Sequence, residues 1–348
     1  MKLSLIMNLY NACEKELEAS LSKVRDSYLK NDEYELIVID DGSTKNYSEI
    51  IKKYNPVYVK TNHRGNLSAI LYGIMIAKGE YVAFLNTGIL PTFNYYRGML
   101  DMAKGEDADI VVGELAYSEK GAIYKNKLDA ITRNEISVEN EHILRFFMRD
   151  LIEAESVPSL CNKIFSKKLL LLAKKELEKT NAVSEKSFDE YGDMLLCFFA
   201  SKYAKKMVKS NTGCAVFALD GEKAEENTKE KTLSFDIIDS ALPENEYTEE
   251  MKKNAAFDRS VYEKNSVGLC KKIYLGDNFL EIDRELSKFY KSNGPVNLIY
   301  DKKDAYVSDI IDGIVKNEGK EISSSAQKLI VVPKRKISLI QKIAKLFA

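Results

Sequence analysis

Apolar and polar residues come in blocks over the first 115 positions, and the lengths of the blocks predict the elements. Leu3-Ser4-Leu5-Ile6-Met7 reads as a first strand that turns polar at Asn8-Leu9-Tyr10-Asn11. From Glu14 to Tyr28 the apolar positions Leu17, Leu21 and Val24 fall at helical spacing. Leu36-Ile37-Val38-Ile39 is an unbroken apolar run, mostly β-branched, as expected of a strand covered on both faces of a parallel sheet. A short helix over 48–54 is stopped by Asn55-Pro56, and Val57-Tyr58-Val59 follows as a third strand. Asn66 to Ala77 carries Leu67, Ile70, Leu71, Ile74 and Met75, a helix with a broad apolar face ended by Lys78-Gly79. Tyr81 to Leu85 is a fourth buried strand, 94–104 another helix and Ile110-Val111-Val112 a fifth strand. Strands alternating with helices of this length predict right-handed βαβ units, hence an α/β fold with a mostly parallel, doubly wound sheet.

Composition narrows the class without naming it. The 348 residues suffice for two modest domains, with 45% hydrophobic and 30% charged residues, the profile of an ordinary globular protein. Basic and acidic side chains number 52 and 53, so the net charge of −1 makes no electrostatic case for nucleic acid. Cys13, Cys161, Cys197, Cys214 and Cys270 are widely spaced with no CxxC, which fits reduced thiols rather than a disulfide framework or zinc site. The amino terminus turns polar too early for a signal peptide, and no apolar run approaches the roughly 18 residues that span a bilayer. These features predict a cytoplasmic protein.

The chemistry gathers at the end of the second strand, where Ile39 is followed by Asp40-Asp41-Gly42-Ser43-Thr44. Ligands of open α/β sheets bind beyond the carboxyl ends of the strands, so two acids and a glycine there suit a polar-ligand site. A solvated Asp-Gly turn accounts for the same letters equally well. Three stretches together go further. Ser4 to Asn11 with its Tyr10-Asn11 turn, Glu35 to Thr44, and Gly65 to Leu85 with Gly73, Ala77-Lys78-Gly79-Glu80-Tyr81 and Phe84-Leu85 resemble the inverting family 2 glycosyltransferases of the GT-A fold, in order and at family spacing. The resemblance implies that Asp40 and Asp41 hold the base and ribose of a nucleotide-diphosphate sugar, a UDP-sugar foremost, with Tyr10, Asn11 and Gly65 lining the pocket. Carboxylates suit that role because they accept hydrogen bonds from imide N–H and ribose hydroxyls.

The sequence departs from the family where the family binds metal. After the fourth strand such enzymes carry an Asp-x-Asp motif for Mn²⁺ or Mg²⁺, which offsets charge on the departing diphosphate by several kcal/mol. Here that position reads Asn86-Thr87-Gly88-Ile89, with no carboxylate. Asn8 stands where a proline is usual, and Ile70-Leu71 where Arg-Asn is usual. The metal expected for the family therefore lacks its ligands in that loop. Lys60, His63 and Arg64 supply positive charge nearby, either to a diphosphate or merely to solvent.

In the second half, Ser159 to Ser166 with Asn162-Lys163-Ile164-Phe165 resembles a stretch from the acceptor half of these enzymes. Asp193, opening a helix that should run to about Met207, matches the family's general base, and Gly192 replaces the glutamate that normally precedes it. Asp193 or Asp189 could equally cap that helix and complement its dipole. Residues 222–231 read as a charged linker or surface loop. Helices are expected over 248–265 and 281–293, and strands at 296–300 and 329–332, in no recognised fold. Residues 334–348 form a basic amphipathic pattern suited to an anionic membrane face or to packing on a domain or partner. The expected division is 1–115 for the nucleotide-sugar half, 116–220 for the acceptor half, 221–333 for a C-terminal α+β region and 334–348 for the basic helix. Two functions fit. One is transfer of a hexose or N-acetylhexosamine to a hydroxyl of a glycan, lipid-linked or protein acceptor, in polysaccharide assembly. The other is a pseudo-glycosyltransferase serving as a binding or scaffold subunit with a protein partner.

Overall fold

The computed structural model describes residues 1–119 except Asp26, together with 122–125, 137–149, 160–183, 188–189, 191–218, 228–252 and Ala255. The elements in order are β1 (Leu3–Leu9), α1 (Glu14–Arg25), β2 (Tyr34–Asp40), α2 (Ser48–Tyr54), β3 (Val57–Lys60), α3 (Asn66–Ile76), β4 (Tyr81–Leu85), β5 (Ile89–Pro91) and α4 (Tyr95–Gly105). They continue with β6 (Ile110–Glu119), β7 (Ala122–Lys125), β8 (Ser137–Glu139), α5 (Glu141–Arg149), β9 (Lys163–Ser166), α6 (Lys167–Leu177), α7 (Gly192–Tyr203), β10 (Lys206–Ala218) and α8 (Thr228–Ala241).

One sheet runs in the order β3-β2-β1-β4-β9-β6-β10-β5, with β7 beside β6 and β8 beside β10. β3, β2, β1 and β4 are parallel neighbours. β9 then enters antiparallel between β4 and β6, which restores the first direction for β6 and β10. The expected mostly parallel sheet is present in β3, β2, β1, β4, β6 and β10; β9 is an antiparallel wedge within it and β5, β7 and β8 are antiparallel additions beside β10 and β6, none of which the apolar pattern predicted.

Alternation along β1 splits the core between two faces. Leu3, Leu5, Met7 and Leu9 pack with Leu17, Leu21 and Val24 of α1 and with Tyr95, Tyr96, Met99 and Leu100 of α4. Ile6 faces the other way, toward Gly73 of α3. Each such aliphatic side chain, fully buried, contributes about 1.5–3 kcal/mol, so a one-residue slip of β1 would be strongly disfavoured. The register carries directly into the site. Leu9 pairs with Asp40 and Asp40 with Lys60, so Tyr10, Asp41 and Thr61 leave the sheet side by side. Met7 pairs with Leu85, which puts Asn86 level with Asn8 on the opposite side of β1.

Three boundaries differ from expectation. α1 ends at Arg25 rather than Tyr28. α7 ends at Tyr203, because Ala204 turns to extended backbone and its chain becomes β10 two residues later. Residues 228–231 belong to α8, so the charged stretch ends as helix. The chain divides into two compact units, Met1–Leu144 with Pro158–Ser234, and Arg145–Val157 with Phe235–Ala348. In the second unit the Arg145 guanidinium donates to both oxygens of Glu250 at 3.2 and 3.0 Å and lies 4.6 Å from the Tyr247 ring centroid. Of the expected 248–265 helix, 248–252 is helical. The elements expected at 281–293, 296–300, 329–332 and 334–348, together with Cys270, lie outside the described residues.

Candidate functional site

Asp40 and Asp41 share a strand end but not a surface. Asp40 is fully buried, and its Oδ1 accepts from the Ser43 N–H at 2.7 Å while Oδ2 accepts from the Tyr58 hydroxyl at 2.6 Å. Burial and the Asp40 hydrogen bond both raise the pKa of the Tyr58 phenol, which therefore remains a donor. Lys60 Nζ stands 3.6 Å from Asp40 Oδ2 and donates to the Ser43 carbonyl at 2.8 Å. Asp41, also buried, turns toward α3. Its Oδ1 accepts from the Arg64 N–H at 2.9 Å, and its Oδ2 accepts from the Gly65 N–H at 2.9 Å and pairs with His63 Nδ1 at 2.8 Å. All four carboxylate oxygens thus have partners within the chain.

Gly42 is what lets the 61–65 segment come so close. It has φ +80°, and a Cβ there would lie 2.6 Å from the His63 backbone nitrogen. An L-residue would meet both a strained backbone and a collision. On the outer side, Tyr10 stacks on the His63 ring with centroids 4.2 Å apart and 11° between planes, leaving Tyr10 half exposed. Asn11, at φ +47°, accepts from the Thr44 N–H and hydroxyl at 2.9 Å and receives the Ser43 hydroxyl as partner of its own N–H at 3.0 Å. Tyr10, Asn11, Asp40, Asp41 and Gly65 are therefore brought together as one corner.

His63 is a fixed group rather than a loose loop side chain. Its Nε2 lies 3.7 Å from Asp189 Oδ1, so Asp41, His63 and Asp189 offer donor atoms within 4.8 Å of one another, a group that could hold a metal. Asp189 is held there by the backbone, because the Leu67 N–H donates to the Phe188 carbonyl at 2.9 Å. The pairing was invisible in the sequence, where 126 positions separate the two side chains.

Asp193 stands apart from that corner at the start of α7. Helix α7 approaches α3 through Gly192, where a Cβ would fall 2.7 Å from Leu67 Cβ, which explains why a glutamate is not accommodated there. The helix cap is Tyr191, in the left-handed region and without a side-chain cap hydrogen bond, and Asp193 lies in the first turn, where a carboxylate complements the helix dipole. Burial pushes the Asp193 carboxyl up to about 6, against the pull of the Leu160 N–H, the Lys163 ammonium and the Asn66 amide. Asn66 in turn accepts from the Asn8 amide at 2.6 Å. Asn8 Oδ1 and Asp193 Oδ1 are buried without a hydrogen-bond partner among the described residues. Two such oxygens on one polar chain can each take a further donor, from water or from a ligand.

The loop after β4 is a tight turn. The Ile89 N–H donates to the Asn86 carbonyl, and Ser20 on α1 bridges the Gly88 N–H and the Ile89 carbonyl at 3.2 and 3.1 Å. Asn86 is exposed, Thr87 half-buried, and Gly88 has φ +83°. The loop's own residues offer one amide, one hydroxyl and backbone, a poor donor set for a hard divalent cation, which takes carboxylates; the nearest carboxylate, Glu16 on α1, lies 3.8 Å from where a Gly88 Cβ would stand. The metal expected for the family does not fit Asn86-Thr87-Gly88.

The model of glycosyl transferase family 2 matches residues 4–170, from β1 into α6. Residues 4–170, just under half of the chain, carry the pattern of glycosyl transferase family 2. The fold of the described residues is GT-A. It is similar to S. aureus TarS 1-349 in complex with UDP-GlcNAc, at a TM-score of 0.55 and 16% identity, covering 84% of this chain and 82% of that one. Among curated relatives, the poly(ribitol-phosphate) beta-N-acetylglucosaminyltransferase TarP of Staphylococcus aureus (strain N315) is 33% identical over 127 residues, 34% of this chain and 38% of TarP. The minor teichoic acid biosynthesis protein GgaB of Bacillus subtilis (strain 168) is 27% identical over 169 residues, 45% of this chain and 19% of GgaB. The match thus spans well under half the length of either of these two curated relatives. Among the described residues no helix is long and apolar enough to cross a membrane.

Proposed function

We propose that the protein transfers a sugar from a nucleotide-diphosphate donor, a UDP-sugar foremost, to an acceptor hydroxyl with inversion. The observation that carries this reading is Asp193. It is a carboxyl lifted to about 6, with one open oxygen, at the mouth of the transferase domain's helix α7. A base with that value is ionised near neutral pH yet still basic enough to take a proton from a hydroxyl in the transition state. The acceptor oxygen then attacks the anomeric carbon opposite the departing nucleoside diphosphate, and the geometry of in-line displacement is set by where the two substrates are held.

On this reading residues 1–115 hold the donor and 116–220 the acceptor. Tyr10 and Asn11 form the platform for the base, and Asp40, Asp41 and Gly65 lock the loops that frame it. No step is routed through the β4 loop, and Lys60 and Arg64 are cations on the same edge for the diphosphate. TarP, a poly(ribitol-phosphate) transferase, and GgaB, a teichoic acid biosynthesis protein, make a polyol-phosphate polymer of the teichoic acid type the first acceptor to try, and the TarS complex makes UDP-GlcNAc the first donor. Residues 334–348 would bring the enzyme to an anionic membrane face. Equal liposome co-sedimentation of the full chain and a 1–333 truncation would refute that.

The experiment is calorimetric titration with UDP, GDP, CDP and dTDP, each with and without Mn²⁺, followed by transfer assays with the nucleotide that binds. One nucleotide should bind and Tyr10→Ala should abolish it. A second reading, the pseudo-glycosyltransferase scaffold, is favoured by the internal satisfaction of Asp40 and Asp41 and by the loop without carboxylates. Absence of binding by all four nucleotides would select it.

A further inference from the structure

The geometry points to a divalent transition-metal site formed by His63 Nε2 and the Asp189 carboxylate, with Asp41 as the group that orients the imidazole. The site is distinct from the β4 loop, from which it is separated by β1. Asp41 already accepts two backbone N–H groups, so as an acceptor-only carboxylate it fixes the imidazole proton on Nδ1, 2.8 Å away. That leaves the Nε2 lone pair facing outward. A carboxylate holding one nitrogen of a histidine whose other nitrogen binds metal is a recurrent arrangement, and it raises the ligand's basicity.

The second ligand is where it should be. Nε2 and Asp189 Oδ1 are 3.7 Å apart, too far for a good hydrogen bond. Two ligands each about 2.1 Å from one tetrahedral cation lie about 3.4 Å apart, so only a few tenths of an ångström of closure is needed. Both sides are pre-positioned. His63 is clamped between Gly42 and the Tyr10 ring, and Asp189 follows the Phe188 carbonyl that α3 holds. A mixed nitrogen and oxygen donor pair suits Zn²⁺, Co²⁺ or Mn²⁺ better than Mg²⁺ or Ca²⁺, which prefer oxygen alone. Two protein ligands leave open positions for water or a phosphate oxygen. The bound ion would tie the turn carrying Asp189, four residues ahead of Asp193, to the Tyr10 corner. Metal binding itself does not depend on sugar transfer.

The chain has 2 histidines, so ring ¹⁵N resonances of histidine-labelled protein separate His63 from His142. The expected result is a shift of His63 Nε2 on addition of one equivalent of Zn²⁺, with the His142 resonances unmoved. Co²⁺ should give a visible d–d band of one site per chain. By calorimetry with the metal alone, His63→Ala and His63→Gln should abolish binding, Asp189→Asn should weaken it at least tenfold, and His142→Ala should leave it unchanged. Asp41→Asn should weaken it about 10–100-fold, as for other orienting carboxylates. Asp189→Asn, on a half-exposed turn, keeps the test open if a His63 variant does not fold. Failure of Zn²⁺, Co²⁺ and Mn²⁺ all to bind would overturn the site. So would wild-type Zn²⁺ affinity in Asp189→Asn.

Discussion

The corner at the end of β2 and the start of α7 each carry buried carboxylates, and the two regions treat them in opposite ways. At the corner every oxygen of Asp40 and Asp41 has a donor inside the chain. At α7 one oxygen of Asp193 has none among the described residues, and burial holds the group up to about 6. A satisfied acid fixes a shape, whereas an unsatisfied one is available for chemistry. On the proposed function, the motif that stands out most in the sequence serves as scaffold and the isolated aspartate as the reactive group.

The sharpest way to break this contrast is Asp193→Asn. Sugar transfer should fall about 10²–10⁴-fold, the usual contribution of a general base, measured as kcat with saturating donor. Stability should move the other way. The folded protein favours the protonated acid, so stability declines as pH rises from about 4 through about 6 and is then level, a total of about 3 kcal/mol from this group. Denaturation midpoints against pH should show that slope in the parent and lose it in the variant, while transfer in the parent should fall below about pH 6. A variant with the same pH slope as the parent would show that Asp193 is not the group responsible.

Gly192→Ala comes next. The added methyl would meet Leu67 Cβ at 2.7 Å, and overpacking of this kind costs about 1–3 kcal/mol, more than the alanine gains in helix propensity. Urea denaturation reads it directly. At the corner, Tyr58→Phe removes the donor to Asp40 Oδ2 and should lower stability by about 1–2 kcal/mol, with donor affinity nearly unchanged. If donor affinity collapses instead, the corner is more than scaffold. The smallest effect expected is from Asn86→Asp, which adds one carboxylate to the β4 turn and should give no more than weak Mn²⁺ affinity by calorimetry.

Much of this was legible in the chain. Unbroken apolar runs located β1, β2 and β4, and helical spacing located α1 and α3, because those elements are buried in the way their periodicity says. β9 escaped because Lys163 and Ser166 flank only two apolar residues, and a buried lysine beside Asn162 does not read as strand. β10 was hidden behind the overrun of α7, since Ala204 is a good helix former placed where the backbone turns extended. In the site, the residue types were legible but their partners were not. That Tyr58 would take up Asp40, or His63 would pair with Asp41, depends on which strand lies beside which. Asn8 looked like an anomaly in the first strand, and only the fold reveals it as one end of the Asn8–Asn66–Asp193 chain.

The position of β9 has a consequence for the order in which the protein is made. Strands β3, β2, β1 and β4 are all synthesised by residue 85 and can pair as soon as they emerge. β6 follows at residue 110, yet the strand that joins it to β4 begins only at residue 163. For that interval a nascent chain carries a four-stranded sheet whose β4 edge is bare, a template for any extended segment nearby. Non-local pairing of this kind is slow. Chains stalled before residue 163 should therefore be markedly more prone to aggregate than chains stalled just after residue 177, once β9 and α6 have been made.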